Sequence, residues 1–351
     1  MSLTLTVDGE RWRRHLRGVA DATPGLVPVA KGNGYGFTLG RLARRAAWLG
    51  VDTIAVGTYD ELAEVASRYD GSLLVLTPWR PFGAALEVDP ALARRVVHTV
   101  SRAEDLTDLL DRQPDARFVL ERSTSMLRHG LSARGLWAAA REVAARPGAR
   151  VEGVALHLPL AHGAHLSEVR RLVNDVVAAE LDLTTIWVSH LSAGELTELR
   201  TAYPDLTFRP RVGTDLWLGD RGALRVSATV LDVHPVERGD LYGYRHRTAP
   251  KSGHILVVSG GTAHGIGLEA PTGDASLKAR AATLARGGLD AAGFVRSPFS
   301  IDGKLRLFAE PPHMQASMLF VPLGARVPAV GDTVDVRVRY TATTFDRVVV
   351  A

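Results

Sequence analysis

The chain has 351 residues, a length that suits two domains or one large α/β barrel with an appendage, and its 42 basic and 38 acidic side chains leave a formal net charge of +4. So small and dispersed a surplus argues against a nucleic-acid or membrane surface. There is no cysteine, which rules out disulfides, cysteine-held zinc, iron–sulfur clusters and a thiol nucleophile. No apolar run approaches the roughly 18 residues of a membrane span, and Met1–Asp8 shows no basic stretch followed by an apolar core. A cytoplasmic globular protein is therefore expected, and 46% hydrophobic residues can fill its core.

Short β-rich apolar runs alternate with longer amphipathic ones from about residue 25 to 215. The strands expected in chain order are Val27–Lys31, Thr53–Val56, Leu73–Thr77, Val96–Val100, Phe118–Glu121, Val151–His157, Ile186–His190 and Leu206–Arg211. Between them lie helical patterns at Leu39–Leu49, Asp60–Tyr69, Arg102–Leu110, Leu136–Ala145, Leu166–Ala179 and Glu195–Tyr203. Strands and helices in this alternation form parallel βαβ crossovers, and eight repeats are the number a (β/α)8 barrel needs. An open doubly wound sheet is the alternative. After about residue 220 the texture turns to strands: Val226–His234, His254–Ser259, Leu305–Ala309, Ser317–Pro322, Thr333–Tyr340 and Asp346–Val350, with one helical pattern around Ala275–Arg286. Gly239-Asp240 and Gly331-Asp332 mark turns. The expectation is a (β/α)8 barrel over residues 1–220 followed by a mostly antiparallel β domain over 221–351.

Only Lys31, Lys251, Lys278 and Lys304 among the basic residues are lysines; the rest are arginines. An amine can lose its proton and attack a carbonyl, whereas guanidinium effectively cannot. Barrel enzymes carry function on the loops at the C-terminal ends of the strands. Here those ends hold Lys31, the Glu121–Gly130 segment with Arg128, His157, His190 with Ser192 just beyond, and Arg211-Val212-Gly213-Thr214. The last of these lies where barrels often bind phosphate. A lysine beside an apolar strand has a lowered pKa and suits Schiff-base chemistry. An imine-forming lysine with a phosphate site suggests pyridoxal phosphate, or an aldolase acting on a phosphorylated sugar. His157, His162 and His165 could suggest a metal, but they lack acidic companions, and none is expected.

Val29-Ala30-Lys31-Gly32-Asn33-Gly34-Tyr35-Gly36 is similar to the cofactor-lysine motif of alanine racemases, Lys-Ala-Asp/Asn-Ala-Tyr-Gly. The order of barrel and β domain matches as well. The resemblance implies that Lys31 carries pyridoxal phosphate covalently and that Tyr35 touches its phosphate. Gly153–His157 resembles the segment whose histidine, here His157, packs near the cofactor ring. Leu191-Ser192-Ala193 resembles the Asn-Ser-Ala phosphate turn. Arg211-Val212-Gly213-Thr214 resembles the Arg-x-Gly-Ile segment, which puts Arg211 at the pyridine nitrogen and Gly213 and Thr214 near the phosphate. Arg128 matches the arginine of the Lys-x-Asp-Thr-Gly-Met-x-Arg-x-Gly pattern. Val236–Tyr244 resembles the stretch ending in Gly-Tyr-Gly, which makes Tyr244 the second catalytic base beside Lys31. In relatives this tyrosine enters the partner subunit's barrel, so a homodimer with composite sites and a small amino-acid substrate is implied.

The departures concentrate on the substrate side. Glu121 stands at the pattern's lysine, which is often carbamylated, and Ser123 and Ser125 replace its Asp and Gly. Leu191 replaces Asn. Gly261-Thr262-Ala263-His264-Gly265 stands for Gly-Tyr-Ala-Asp-Gly. His313-Met314-Gln315-Ala316-Ser317 stands for the Ser-Met-Asp segment, which assigns Met314 and Gln315, with Arg128, to the substrate. The C-terminal phosphate tyrosine has no clear match, although Tyr340 and Phe345 lie nearby. Losing an aromatic side chain could admit an amino acid larger than alanine. The competing readings are a catalytically degenerate cofactor-binding homologue, a pyridoxal-phosphate decarboxylase and a single-barrel vitamin-binding protein. The decarboxylase is disfavoured by Arg211 and the missing cysteine, the single barrel by the β domain.

Overall fold

Strand β1 (Leu3–Val7) reads Leu-Thr-Leu-Thr-Val, and the period-two alternation buries Leu3, Leu5 and Val7 on one face. Helix α1 (Gly9–Ala22) follows, burying Trp12 and Leu16 one turn apart. The structure, a computed structural model, describes residues 2–160, 163, 165–181, 183–268 and 295–351. It divides into Arg13–Gly219 on one side and Met1–Trp12 with Asp220–Ala351 on the other.

In the first unit, β2 (Val27–Ala30), β3 (Thr53–Val56), β4 (Ser72–Val75), β5 (Val96–Val100), β6 (Arg117–Arg122), β7 (Arg150–His157), β8 (Thr185–Ser189) and β9 (Thr207–Val212) pair in chain order and close into a barrel. These are the eight expected strands, their ends shifted by at most two residues. Closure comes from β9 pairing parallel with β2, Val27 opposite Arg211 and Pro28 opposite Val212. The crossovers carry α2 (Leu39–Leu49), α3 (Leu62–Ala66), α4 (Ala103–Arg112), α5 (Ala133–Ala144), α6 (His165–Ala178), α7 (Ala193–Ala202) and α8 (Thr214–Leu218). Between β4 and β5 only a short 3-10 turn, Gly83–Leu86, forms. Pro78, Pro81 and Pro90 in that crossover remove backbone donors and disfavour a longer helix.

The barrel interior is filled rather than open. Val27, Val29, Ala55, Leu74, Val97, Val119, Ala155 and Trp187 form its core, none more than 7% exposed. A fully buried Val or Leu contributes roughly 1.5–3 kcal/mol. Trp187 fits because its indole N–H donates to the Glu152 carbonyl at 2.9 Å. That carbonyl is aimed by a bulge, since Phe118 faces Val151 but Val119 faces Gly153, leaving Glu152 extra. Gly153 is required there. Its φ is +132°, and an added Cβ would overlap the Thr185 carbonyl and lie 3.0 Å from Trp187 Nε1.

The second unit is built on β10 (Leu224–Val236), a 13-residue strand that bends at a register shift between Val230 and Asp232. It also contains β11 (Leu241–Tyr242), β12 (Arg247–Thr248), β13 (Gly253–Ser259), β14 (Arg296–Ile301), β15 (Lys304–Phe308), β16 (Ala316–Pro322), β17 (Thr333–Val336) and β18 (Arg347–Val350). β10 pairs with both β17 and β13, so β13, β16, β15, β14, β17 and β10 form a closed antiparallel ring. β1 extends it, antiparallel to β10 and parallel to β18. This corrects the expected boundary, which left residues 1–12 with the barrel. β1 goes to the other unit because its backbone pairs with β10, while the Leu3 N–H and carbonyl bond Asp346 through its Oδ2 at 2.7 Å and its N–H at 3.0 Å. The expected helix around Ala275–Arg286 lies outside the described residues.

Replacing Gly153 by alanine should lower stability by roughly 2–3 kcal/mol, read as a reduced urea midpoint. Gly18→Ala in α1, where an added Cβ meets nothing within 4 Å, should be neutral or slightly stabilising in the same assay.

Candidate active site

Lys31 stands immediately beyond β2, and the chain behind it turns sharply. The Gly34 N–H bonds the Lys31 carbonyl at 3.1 Å, and the Phe37 N–H bonds the Gly34 carbonyl at 2.8 Å. The turn forces Tyr35 to a φ of +54° and buries its ring. Because β2 and β9 are neighbours, the loops behind them meet. An added Cβ at Gly213 would overlap the Tyr35 hydroxyl, so only glycine admits the phenol there. Burial, followed by the charge of Glu61, pushes the Tyr35 hydroxyl up to about 12, and it remains a neutral donor.

Glu61, which the sequence reading did not single out, holds the lysine turn in place. Its carboxylate accepts the Gly32 N–H at 2.7 Å, the Gly57 N–H at 2.6 Å and the Thr58 N–H at 3.4 Å. Thr58-x-x-Glu61 is a capping box, and that spacing behind β3 was the available signal. The stem of Lys31 runs over Gly57, where a Cβ would come within 2.9 Å of the Lys31 Cβ. Loss of hydration lowers the Lys31 amine below the ordinary lysine value. Arg128 pushes the same way, Glu61 opposes, and Arg211 adds a smaller downward push.

Arg211, on β9, is 6% exposed, and its terminal nitrogen donates to the Leu156 carbonyl at 3.0 Å. Its Nε–H is buried and has no hydrogen-bond partner among the described residues. Burial brings the guanidinium down to about 10 against the support of Glu121, with Arg128 pushing further down, and it stays charged at neutral pH. Glu121 on β6 is also buried, its Oε2 without a partner among the described residues; burial raises its pKa, and Arg211, Arg128 and Arg80 hold it back. Arg128 is exposed on the loop behind β6, where Leu127 adopts a φ of +50°.

His157 ends β7. Burial, then Arg211, Arg128, His190 and Lys31, drive its pKa down to about 3, so the ring is neutral. Its Nδ1 lies 2.9 Å from the Ser189 hydroxyl, and its carbonyl accepts the Thr124 hydroxyl at 2.6 Å. His190 sits 5.1 Å away, ring to ring, and its Nδ1–H donates to the Leu158 carbonyl at 2.6 Å. Ser192 caps α7, and its N–H and hydroxyl both donate to Glu195 Oε2, at 2.7 and 2.8 Å. The serine expected at a phosphate thus already serves a carboxylate. Glu195 also lies 3.8 Å from His165 Nδ1. Thr214 opens α8, whose Trp217 indole N–H bonds the Val29 carbonyl at 2.7 Å. Among the described residues no group of three or more His, Asp or Glu is placed to hold a metal; His162 lies outside them.

The remaining expected residues belong to the other unit. Tyr244 lies on the turn between β11 and β12 and is 85% exposed. Its N–H donates to Glu310 Oε2 at 2.9 Å, and its ring lies 5.0 Å from that of His313. Met314 and Gln315 follow His313 and are exposed. His264 accepts the Gly261 N–H at 3.2 Å on Nδ1 and meets Asp346 at 3.1 Å through Nε2, a structural role at the position where the family has Asp. Tyr340 packs under Arg221, 4.7 Å from guanidinium to ring centre.

The chain is thus a closed parallel (β/α)8 barrel, with a lysine, a buried arginine and a glycine-lined turn at the C-terminal ends of its strands, together with an antiparallel β unit. The chain belongs to the alanine racemase family: residues 7–218 match the model of the alanine racemase N-terminal domain. It is 28% identical over 274 residues to the alanine racemase of Nitratidesulfovibrio vulgaris, covering 72% of each chain. The Mycolicibacterium vanbaalenii alanine racemase is 30% identical over 267 residues, 69% of this chain and 66% of that protein. The crystal structure of the Bartonella henselae alanine racemase with covalently bound pyridoxal phosphate superposes with a TM-score of 0.72 at 15% identity, covering 100% of both chains. The E. faecalis alanine racemase gives 0.71 at 20% identity, covering 99% of this chain and 98% of that one.

Acylation of the protein with a small anhydride, followed peptide by peptide in mass spectrometry, should show Lys31 reacting with a midpoint below the ordinary lysine range. Arg128→Gln removes a like charge and should move that midpoint upward. A midpoint that does not respond would mean Arg128 exerts no field at the amine.

Proposed function

We propose that this protein is a pyridoxal-phosphate-dependent amino-acid racemase that interconverts L- and D-amino acids as a homodimer in the cytoplasm. The observation that carries the reading is the buried, unpaired Nε–H of Arg211 in the mouth that also contains the barrel's lysine. The cofactor fits these groups one by one. Lys31 suits its aldehyde, and the Arg211 Nε–H suits its ring nitrogen as an acceptor. The Tyr35 hydroxyl, Gly213 and Thr214 suit its phosphate, with Ser192 joining once Glu195 turns away. Bound there, pyridoxal phosphate would supply an electron sink that makes the substrate Cα proton removable.

The chain's own groups then divide the proton traffic. Lys31, held below the ordinary lysine range, takes or returns a proton on one face of Cα. Tyr244 of a second copy serves the opposite face. His157, neutral and bonded to Ser189, stands near this exchange without adding a charge. Arg211 donates a hydrogen bond and keeps its proton, because even at about 10 its pKa lies well above neutrality. That limits how far negative charge spreads from Cα and restrains side reactions. Arg128, an exposed cation beside the amine, is suited to the substrate carboxylate, with Met314 and Gln315 of the second copy at the rim.

A second copy is supported by the apolar surface around Tyr244, where Leu241 and Met314 are also exposed, and by exposed Phe82, Leu127 and Leu160 on loops beyond barrel strands. The changed substrate-side residues favour alanine or a larger amino acid.

Borohydride reduction after adding pyridoxal phosphate should label Lys31; a label on Lys251 or Lys304 overturns the assignment. With an amino-acid panel in deuterium oxide, Cα should exchange and both enantiomers should appear. Tyr244→Phe should retain the cofactor and slow exchange from one enantiomer by about 100-fold or more. No exchange with any amino acid would leave a cofactor-binding homologue without turnover.

A further inference from the structure

A tyrosine that is 85% exposed on a short turn is poorly placed to act as a base, because its ring can visit several rotamers and the proton it must reach lies at one point. The surroundings of Tyr244 answer this with one carboxylate. Glu310 follows β15 and is 2% exposed. Its Oε2 accepts the Tyr244 N–H at 2.9 Å, and its Oε1 lies 2.6 Å from His313 Nε2. A carboxylate only accepts, so the imidazole donates through Nε2, in a charge-assisted bond of the short kind.

The backbone on both sides is shaped to the same carboxylate. Gly243 has a φ of +71°, and an added Cβ there would overlap Glu310 Oε2. The His313 N–H bonds the Ala316 carbonyl at 2.9 Å, and its carbonyl accepts the Thr262 N–H at 2.8 Å. Arg247, on the far side of the turn, donates to the Ala309 carbonyl at 2.9 Å. His313 is therefore fixed both by backbone and by its ring nitrogen, and its ring lies 5.0 Å from that of Tyr244 at 35°. Among the described residues no other ring contacts Tyr244.

We infer that Glu310 and His313 are a positioning pair for Tyr244: Glu310 fixes the backbone beneath the tyrosine, and through His313 it supplies the face on which the phenol rests. The pair belongs to the same chain as Tyr244, so the tyrosine is oriented before any second copy arrives. The inference deepens the racemase reading and rests on Tyr244 being the opposite-face base.

The test uses the full-length protein labelled with 13C at the tyrosine ring carbon bearing the hydroxyl, with Tyr244→Phe identifying the Tyr244 signal. His313→Ala should move that signal toward the position of a free tyrosine, while His313→Phe, which keeps an aromatic face, should largely retain it. Glu310→Gln, which keeps the shape and loses the charge, should broaden or shift it. In deuterium exchange by the cofactor-loaded enzyme, His313→Ala should slow the enantiomer served by Tyr244 by about 10- to 100-fold in kcat, with KM nearly unchanged. Exchange from the enantiomer served by Lys31 should be spared, and His313→Phe should recover most of the loss. An unmoved Tyr244 signal in His313→Ala overturns the pair, as does equal slowing of both enantiomers. A moved signal with exchange unchanged from both removes Tyr244 from the chemistry, and the racemase reading's second base with it.

Discussion

The parallel pairing of β2 with β9 is the constraint on which the candidate site depends. Lys31 and Arg211 are separated in sequence by nearly the whole barrel, and they share a mouth because Val27 pairs with Arg211 and Pro28 with Val212. The same closure brings the turn behind Lys31 against the glycine behind Arg211, so that the Tyr35 phenol rests where Gly213 has no side chain. The packed interior makes closure favourable, since Val27 and Val29 of β2 are buried with Trp187 of β8 in one core.

Closure has an electrostatic consequence. Arg211, Arg128 and Arg80 act on a buried carboxylate, Glu121, while Lys31 feels Arg128, Arg211 and Glu61, the last engaged by three backbone N–H groups. Loss of hydration first, and neighbouring positive charge after it, hold a lysine and an arginine below their ordinary values and drive a histidine to about 3. Among the described residues, Arg211 Nε and Glu121 Oε2 are buried polar atoms without partners. An ordinary core avoids such groups, and these two sit on strands of the same barrel, on side chains that act on one another electrostatically.

The legibility of the chain followed the range of the interactions involved. The barrel strands were readable because parallel strands buried on both faces become short continuous apolar runs, such as Val96–Val100, which is buried throughout. β1 carries an equally plain alternation, but nothing within it says which sheet it joins. β14 was missed because Pro298 breaks its run and the ladder shifts between Arg296 and Ser300. The helix expected at Asp60–Tyr69 forms as a 3-10 turn, Tyr59–Glu61, running into Leu62–Ala66, and it ends at Ser67, whose hydroxyl bonds the Glu64 carbonyl. Ser192 was legible as a residue just beyond a barrel strand, whereas its capping of α7 and its capture by Glu195 are a matter of which acceptor is nearest.

By itself the sequence determined the types of group available: one amine in the barrel, at the end of the first barrel strand, a glycine-rich turn beside it, and an arginine at the end of the last. Those follow from local pattern, because strand ends and turns are set by neighbours a few residues apart. Only the tertiary structure decided that residues 1–12 join the β unit, that Arg211 keeps an unpaired N–H, and that Glu310 reaches both Tyr244 and His313. Each of these depends on strand pairings and burial between distant segments, and a pairing is chosen by the closed sheet as a whole rather than by either strand alone.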